Sequence, residues 1–142
     1  MWLSGLATLA TALFAGAATY VTLVEQPARL MCPTEVAIAE WRPSYARATQ
    51  MQASLAVAGT LLGIAAGMAG EGLVWVVAGF VLSGVVPFTL IVMWPTNKRL
   101  EDPTLELSSA EARDLLTRWG NLHAVRTVIS LAALLLTLFA RF

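Results

Sequence analysis

QMQASLAVAGTLLGIAAGMAGEGLVWVVAGFVLSGVVPFTLIVMW, residues 50–94, is the stretch that decides the fold. Glu71 is its one charged side chain, and Gly70-Glu71-Gly72 divides it into two apolar runs, 50–69 and 73–94. Each run is near the roughly 20 residues a helix needs to cross about 30 Å of hydrocarbon. In lipid the backbone must satisfy its own hydrogen bonds, so the pair reads as a transmembrane helical hairpin. Working outward, residues 2–24 form another uncharged apolar run, ending at Glu25-Gln26-Pro27. Toward the C-terminus, a run over about 122–140 is interrupted only by His123 and Arg126. The expected fold is all-α: a four-helix transmembrane bundle, one domain over 1–142, with spans about 2–24, 50–69, 73–94 and 119–140.

Composition agrees. Hydrophobic residues make up 58% and charged residues 13%, against roughly a quarter charged in a soluble domain. That is too little charge for a surface wetted all round. Formal net charge is zero, so a nucleic-acid partner is not expected. The lone cysteine, Cys32, excludes an internal disulfide and a Cys-rich metal site. Ala15-Gly16-Ala17 resembles a signal-peptide cleavage site, but no Lys or Arg precedes the apolar run. The run is therefore read as a retained span.

The connections are unequal. Arg29, Arg42 and Arg47 follow the first span; Lys98, Arg99, Arg113 and Arg118 follow the third. The opposite side has Glu71, Arg141 and the termini. By the positive-inside rule the long connections face the cytoplasm and both termini are non-cytoplasmic. Ser108 with Glu111 reads as a capping box that starts the last helix early, and Asp114 with Arg118 as an ion pair on its first turns. Gly59, Gly63 and Gly67 form a small-residue face that suits tight packing within the bundle, or a homodimer. Thr8, Thr11, Ala15, Ala18 and Thr22 make a similar stripe on the first span, and Pro87 should kink the third.

Charge at membrane depth is costly and commonly functional. Trp119, His123, Arg126 and Ser130 are spaced to share one helix face. Glu25, Tyr45, Gln52, Trp94 and Asn97 lie at the same end of their helices. Together they predict a pocket with a carboxylate, an imidazole, a guanidinium and aromatic rings. Glu25 is expected to pair with Arg126. A structural reading stands beside this: an ion pair between spans one and four, a histidine bonded to a carbonyl, and Trp41, Trp94 and Trp119 as interfacial anchors. One histidine and one cysteine do not make a zinc or bis-His haem site, so no metal is expected.

Several segments carry a resemblance. Glu25-Gln26-Pro27-Ala28-Arg29, "WRPSYARA" from Trp41 to Ala48, "PFTLIVMWPTNKRLED" from Pro87 to Asp102 and "RWGNLHAVRTVIS" from Arg118 to Ser130 resemble the DUF1772 membrane proteins, the anthrone oxygenase-like family. The last two are the most specific. Gln26 stands where the family segment has His, which leaves His123 as the only imidazole. The resemblance implies a small oxygenase that needs no metal, flavin or other cofactor. A base removes an acidic CH2 proton from a flat anthrone-like substrate, and the enolate reacts with O2. On that basis the catalytic candidates are His123 as base, Arg126 at the enolate oxygen and Glu25 tuning His123. Tyr45, Gln52, Trp94, Asn97 and Trp119 are the substrate-binding candidates. The expected partners are membrane lipid and an apolar aromatic small molecule. The alternative is a non-catalytic membrane protein that binds a lipid, a quinone or a partner helix.

Overall fold

The computed structural model describes residues 1–140; Arg141 and Phe142 lie outside them. Among the described residues, four helices are long and apolar enough to cross a membrane: α1 (Trp2–Leu30), α2 (Thr34–Glu71), α3 (Leu73–Glu101) and α4 (Ala110–Phe139). They run up and down, each packed on its neighbours in sequence, with α1 closing the ring against α4. Large apolar side chains such as Leu9, Leu13, Leu61, Phe80, Val128 and Leu135 point outward. That is the surface of a protein whose surrounding solvent is hydrocarbon, and the chain is a multi-pass membrane protein.

Between α2 and α3 the chain turns through Gly70 and Gly72, at φ +87° and +118°, a region L side chains rarely enter. The glycine face of α2 is used inside the chain. A Cβ on Gly63 would stand 3.1 Å from the Trp75 carbonyl, and one on Gly79 2.9 Å from that of Thr60. These two glycines let α2 and α3 approach backbone to backbone.

All four helices run past their apolar segments at the end opposite that hairpin. The stretch expected as a charged connection, 25–49, is almost wholly helical, broken only at Met31–Pro33. The extensions meet over their own core of Ile38, Trp41, Met93, Leu100, Leu116 and Trp119. The last helix is capped by Ser109, whose hydroxyl accepts from the Ala112 amide at 3.1 Å. The expected Ser108–Glu111 box does not form, because Glu111 is held by Arg99, 2.6 Å away. Asp114 and Arg118 do not pair either; both are exposed, where an i,i+4 ion pair gains little.

Two helices widen near this end. In α1 the turn Val21–Glu25 is π-helical, with the Gln26 amide donating back to the Val21 carbonyl. In α3 the turn Phe88–Met93 is likewise wide, following a break at Gly84. Each wide turn stands two residues before a proline, Pro27 or Pro95. Proline has no amide to donate and its ring crowds the carbonyl one turn back, so the helix opens there. Pro87 lies inside the disturbed part of α3, as expected.

Candidate functional site

A small polar cavity lies where the apolar spans meet the charged extensions. Glu25 and Arg29 border it from α1, Tyr45 and Gln52 from α2, His123 and Arg126 from α4. Its free volume is about 20 Å³, room for roughly one water molecule. Five of the residues singled out in the sequence thus meet at one place with Trp119, which also lines it.

His123 is 2% exposed and held by a relay of hydroxyls. Its Nδ1 lies 3.1 Å from Thr22 Oγ1, which lies 2.8 Å from Thr127 Oγ1. Thr127 Oγ1 lies 3.0 Å from the Ala18 carbonyl oxygen. Two proton arrangements satisfy these distances. In one, Thr127 donates to the carbonyl, Thr22 to Thr127 and His123 Nδ1–H to Thr22; in the other the chain runs the opposite way and Thr22 donates to Nδ1. A histidine in the first arrangement keeps the Nε2 lone pair and can take a proton there.

Arg126 does not meet Glu25. Its Nη2 donates to Gln52 Oε1 at 2.9 Å, its guanidinium lies 5.6 Å from the centre of the Phe14 ring, and its buried Nε–H has no partner. Glu25 instead accepts from Arg29 and, at 2.8 Å, from Ser44 Oγ. The pairing differs because α1 stays helical through Pro27. That places Arg29 four residues beyond Glu25 on a neighbouring surface, within direct reach. Arg29 also pairs with Glu40, donates to Gln26 Oε1 at 2.7 Å and sits 5.7 Å from the Trp119 ring centre. Gln26 in turn donates to the Leu116 carbonyl at 2.8 Å and packs against Gly120, where a Cβ would stand 2.9 Å from its Cγ. Gln26 is a buried brace between α1 and α4.

The aromatic wall is continuous. Trp41 stacks on Tyr45 at 4.7 Å and meets Trp119 edge-on at 5.7 Å; Trp119 lies 5.0 Å from His123. Asn97 is fully buried behind the wall and donates to the Tyr45 hydroxyl at 3.0 Å. Trp94 is not part of the site. It is 47% exposed, with Lys98 above its ring. The wide turn Phe88–Met93 adds a residue to the helix and rotates the segment beyond it, so that Met93 takes the inward position. Trp94 is thereby turned outward, where an interfacial tryptophan sits well.

The sequence reading missed Arg29, Gln26, Thr22, Thr127 and Trp41 as parts of this assembly. Treating 25–49 as a connection hid the first two. The i,i+3 and i,i+4 spacings of Gln26 and Glu25 with Arg29 were the available signal. Buried polar groups almost always find partners. Among the described residues Arg126 Nε, Trp41 Nε1, Trp119 Nε1, Thr19 Oγ1 and Asn97 Oδ1 do not, and the first three belong to residues around one cavity.

The family model described as anthrone oxygenase matches residues 41–136, which takes in most of α2, all of α3 and most of α4 with His123 and Arg126. Over 65 residues the chain is 40% identical to "Anthrone oxygenase tpcL" of Aspergillus fumigatus. The match spans 44% of this chain and 40% of that relative's length. No solved structure matches.

Proposed function

The chain belongs to the anthrone oxygenase family, and from that premise we propose that it oxidises a flat phenolic ketone of the anthrone type with O2 at the His123–Arg126 cavity. The single observation that supports this most is the meeting of an imidazole and an under-supplied cation at one cavity. Among the described residues His123 is hydrogen-bonded through Nδ1 and not Nε2, and Arg126 donates to Gln52 alone.

The chemistry rests on those two groups. His123 Nε2 takes one proton from the CH2 between the aryl rings, and the electron pair moves onto the ketone oxygen. Arg126 donates to that enolate oxygen, in a site where low polarity strengthens the contact. The enolate carbon bonds to O2 and takes up the proton as a hydroperoxide. Loss of water leaves a second carbonyl. The balance is one substrate and one O2 to one quinone and one water. Thr22 bonds the imidazole and Thr127 bonds Thr22, and the Trp41–Tyr45–Trp119 wall packs behind the ring. Glu25 keeps Arg29 in place, which gives it a positioning role in place of the tuning role expected from sequence.

Oxygen uptake by the purified chain with emodin anthrone tests this reading. Uptake well above buffer, lost in His123→Ala by about 10²- to 10⁴-fold, is the expected result. No acceleration over buffer at several pH values removes the proposed substrate and leaves lipid or quinone binding as the function.

Orientation is part of the same proposal: the charged end, with the cavity beside it, faces the cytoplasm, and both termini lie on the other side. Reporter fusions at Phe142 and in the 98–113 region should give opposite signals. A cytoplasmic signal at Phe142 inverts the orientation.

A further inference from the structure

The Gln52–Arg126 pair borders two cavities. On one side lies the polar cavity with His123. On the other lies an apolar cavity of about 140 Å³, lined by Phe14, Ala53, Ala56, Val85 and Thr89 with Arg126. Its rim is formed by Ala53, Val86 and Leu90, all exposed and all on the apolar parts of α2 and α3. The medium at that rim is lipid.

We infer that this cavity is the seat of the substrate's ring system, entered sideways from the bilayer between α2 and α3, with a ring oxygen on the Arg126 guanidinium and Gln52 as a positioning residue. The class of substrate rests on the oxygenase reading; the seat and the route rest on cavity size, on hydrogen bonding and on the lipid-facing rim.

Size excludes the polar cavity as the seat. A volume of about 20 Å³ takes a water- or O2-sized molecule. The apolar cavity, at about 140 Å³, is close to the roughly 150 Å³ cavity known to take up benzene. The reacting ring fits inside against the Gln52–Arg126 pair, whose other face lines the His123 cavity, and the outer rings reach toward the rim. Hydrogen bonding decides which oxygen-bearing ligand belongs there. Arg126 has an amide oxygen as its hydrogen-bond partner, and its Nε–H is buried and unpaired beside the Phe14 ring. A ketone or phenolate oxygen would accept from the guanidinium's Nη hydrogens not given to Gln52, and the ring would lie on apolar side chains. A hydrocarbon alone would leave them unmet.

There is a competing entry. A larger groove, about 330 Å³, opens between α1 and α2 beside Glu25 and Arg29, with Val36 on its side. Its guanidinium already donates to Glu25, Glu40 and Gln26. Two carboxylates neutralise it and three of its five N–H groups are committed, against one for Arg126, so the α2–α3 side is the better equipped for a substrate oxygen.

The test is binding of emodin anthrone under nitrogen to the full chain in phosphatidylcholine nanodiscs, read by quenching of tryptophan fluorescence, with oxygen uptake measured on the same preparations. Ala53→Phe and Thr89→Phe, which fill the rim and floor of the α2–α3 cavity, should each weaken binding at least about tenfold, while Val36→Phe on the other groove stays within about twofold. Either cavity variant suffices if the other fails to fold. Weakening by Val36→Phe alone, or by none of the three, overturns the seat, as does an unchanged Kd in both cavity variants with oxygen uptake intact. That last result leaves the oxygenase reading standing. Binding that is sensitive to Ala53→Phe or Thr89→Phe without any oxygen uptake keeps the seat and removes the oxygenase reading. Absence of binding by the unaltered chain overturns the seat.

Discussion

Two arginines enter the same cavity wall, one from α1 and one from α4, and their surroundings differ. Arg29 is 5% exposed and is paired with two carboxylates and an amide, all from α1 and α2. Arg126 lies deeper along its span, has one amide acceptor and keeps an unpaired N–H. Carrying a charge out of water is costly unless neighbours compensate it. A guanidinium neutralised by two carboxylates can hold helices together. One with no carboxylate and a single amide acceptor has hydrogen-bonding capacity left for a group that arrives from outside. On the proposed function, Arg29 belongs to the scaffold and Arg126 to the chemistry.

Each arginine can be removed in turn, and the largest expected effect is on Arg126. Arg126→Met should lower oxygen uptake per folded molecule by about 10²- to 10³-fold, the range for loss of one oxyanion donor. Its thermal stability should hold or rise, since an incompletely paired buried charge has been removed. Arg29→Met should do the reverse. Loss of one partner from a buried pair costs about 3 kcal/mol at the low end of the usual range. The low end applies because Glu40, half exposed, regains water. Denaturation in detergent reads that loss, and a loss under about 1 kcal/mol would place Arg29 outside the scaffold.

Smaller changes sharpen the same contrast. Thr22→Val removes the hydroxyl bonded to His123 Nδ1 and breaks the relay to Thr127. We expect about a tenfold fall in uptake, near the 1 kcal/mol scale of one hydrogen bond, with stability little changed. An unaffected rate in Thr22→Val shows that the relay does not fix the tautomer. The smallest effect belongs to the α3–α4 loop. Asp102 is held below the usual carboxylate range chiefly by the Thr104 hydroxyl and then by the Thr104 amide. A lowered folded-state value means the contribution is present at neutral pH and is lost as pH falls through that value. Thr104→Ala should therefore lower neutral-pH stability slightly and leave stability at acid pH, where Asp102 is protonated, unchanged, as read by circular dichroism.

The four spans were legible because hydrocarbon imposes a length and a polarity that composition alone reports. The run from Gln50 to Trp94 could hardly be anything else. The meeting of Tyr45, Gln52, Trp119, His123 and Arg126 was legible from helical spacing and from their common end of the bundle. The pairings were not. Sequence spacing assumes 3.6 residues per turn, and the wide turn before Pro95 breaks that assumption, which turned Trp94 outward and Met93 inward. Reading 25–49 as loop concealed that Arg29 stands one helical turn from Glu25. Glu25 was therefore assigned to the only buried cation in view, Arg126, when a nearer one already held it.

The most direct measurement sets the two arginine variants side by side in nanodiscs, with anthrone-dependent oxygen uptake normalised to folded protein and Tm recorded on the same samples. The account predicts that Arg126→Met loses uptake at an unchanged or higher Tm, and that Arg29→Met lowers Tm while its remaining folded molecules turn over within a few-fold of the parent. Full uptake in Arg126→Met, or a fall in Tm for Arg126→Met as large as that for Arg29→Met, would contradict it.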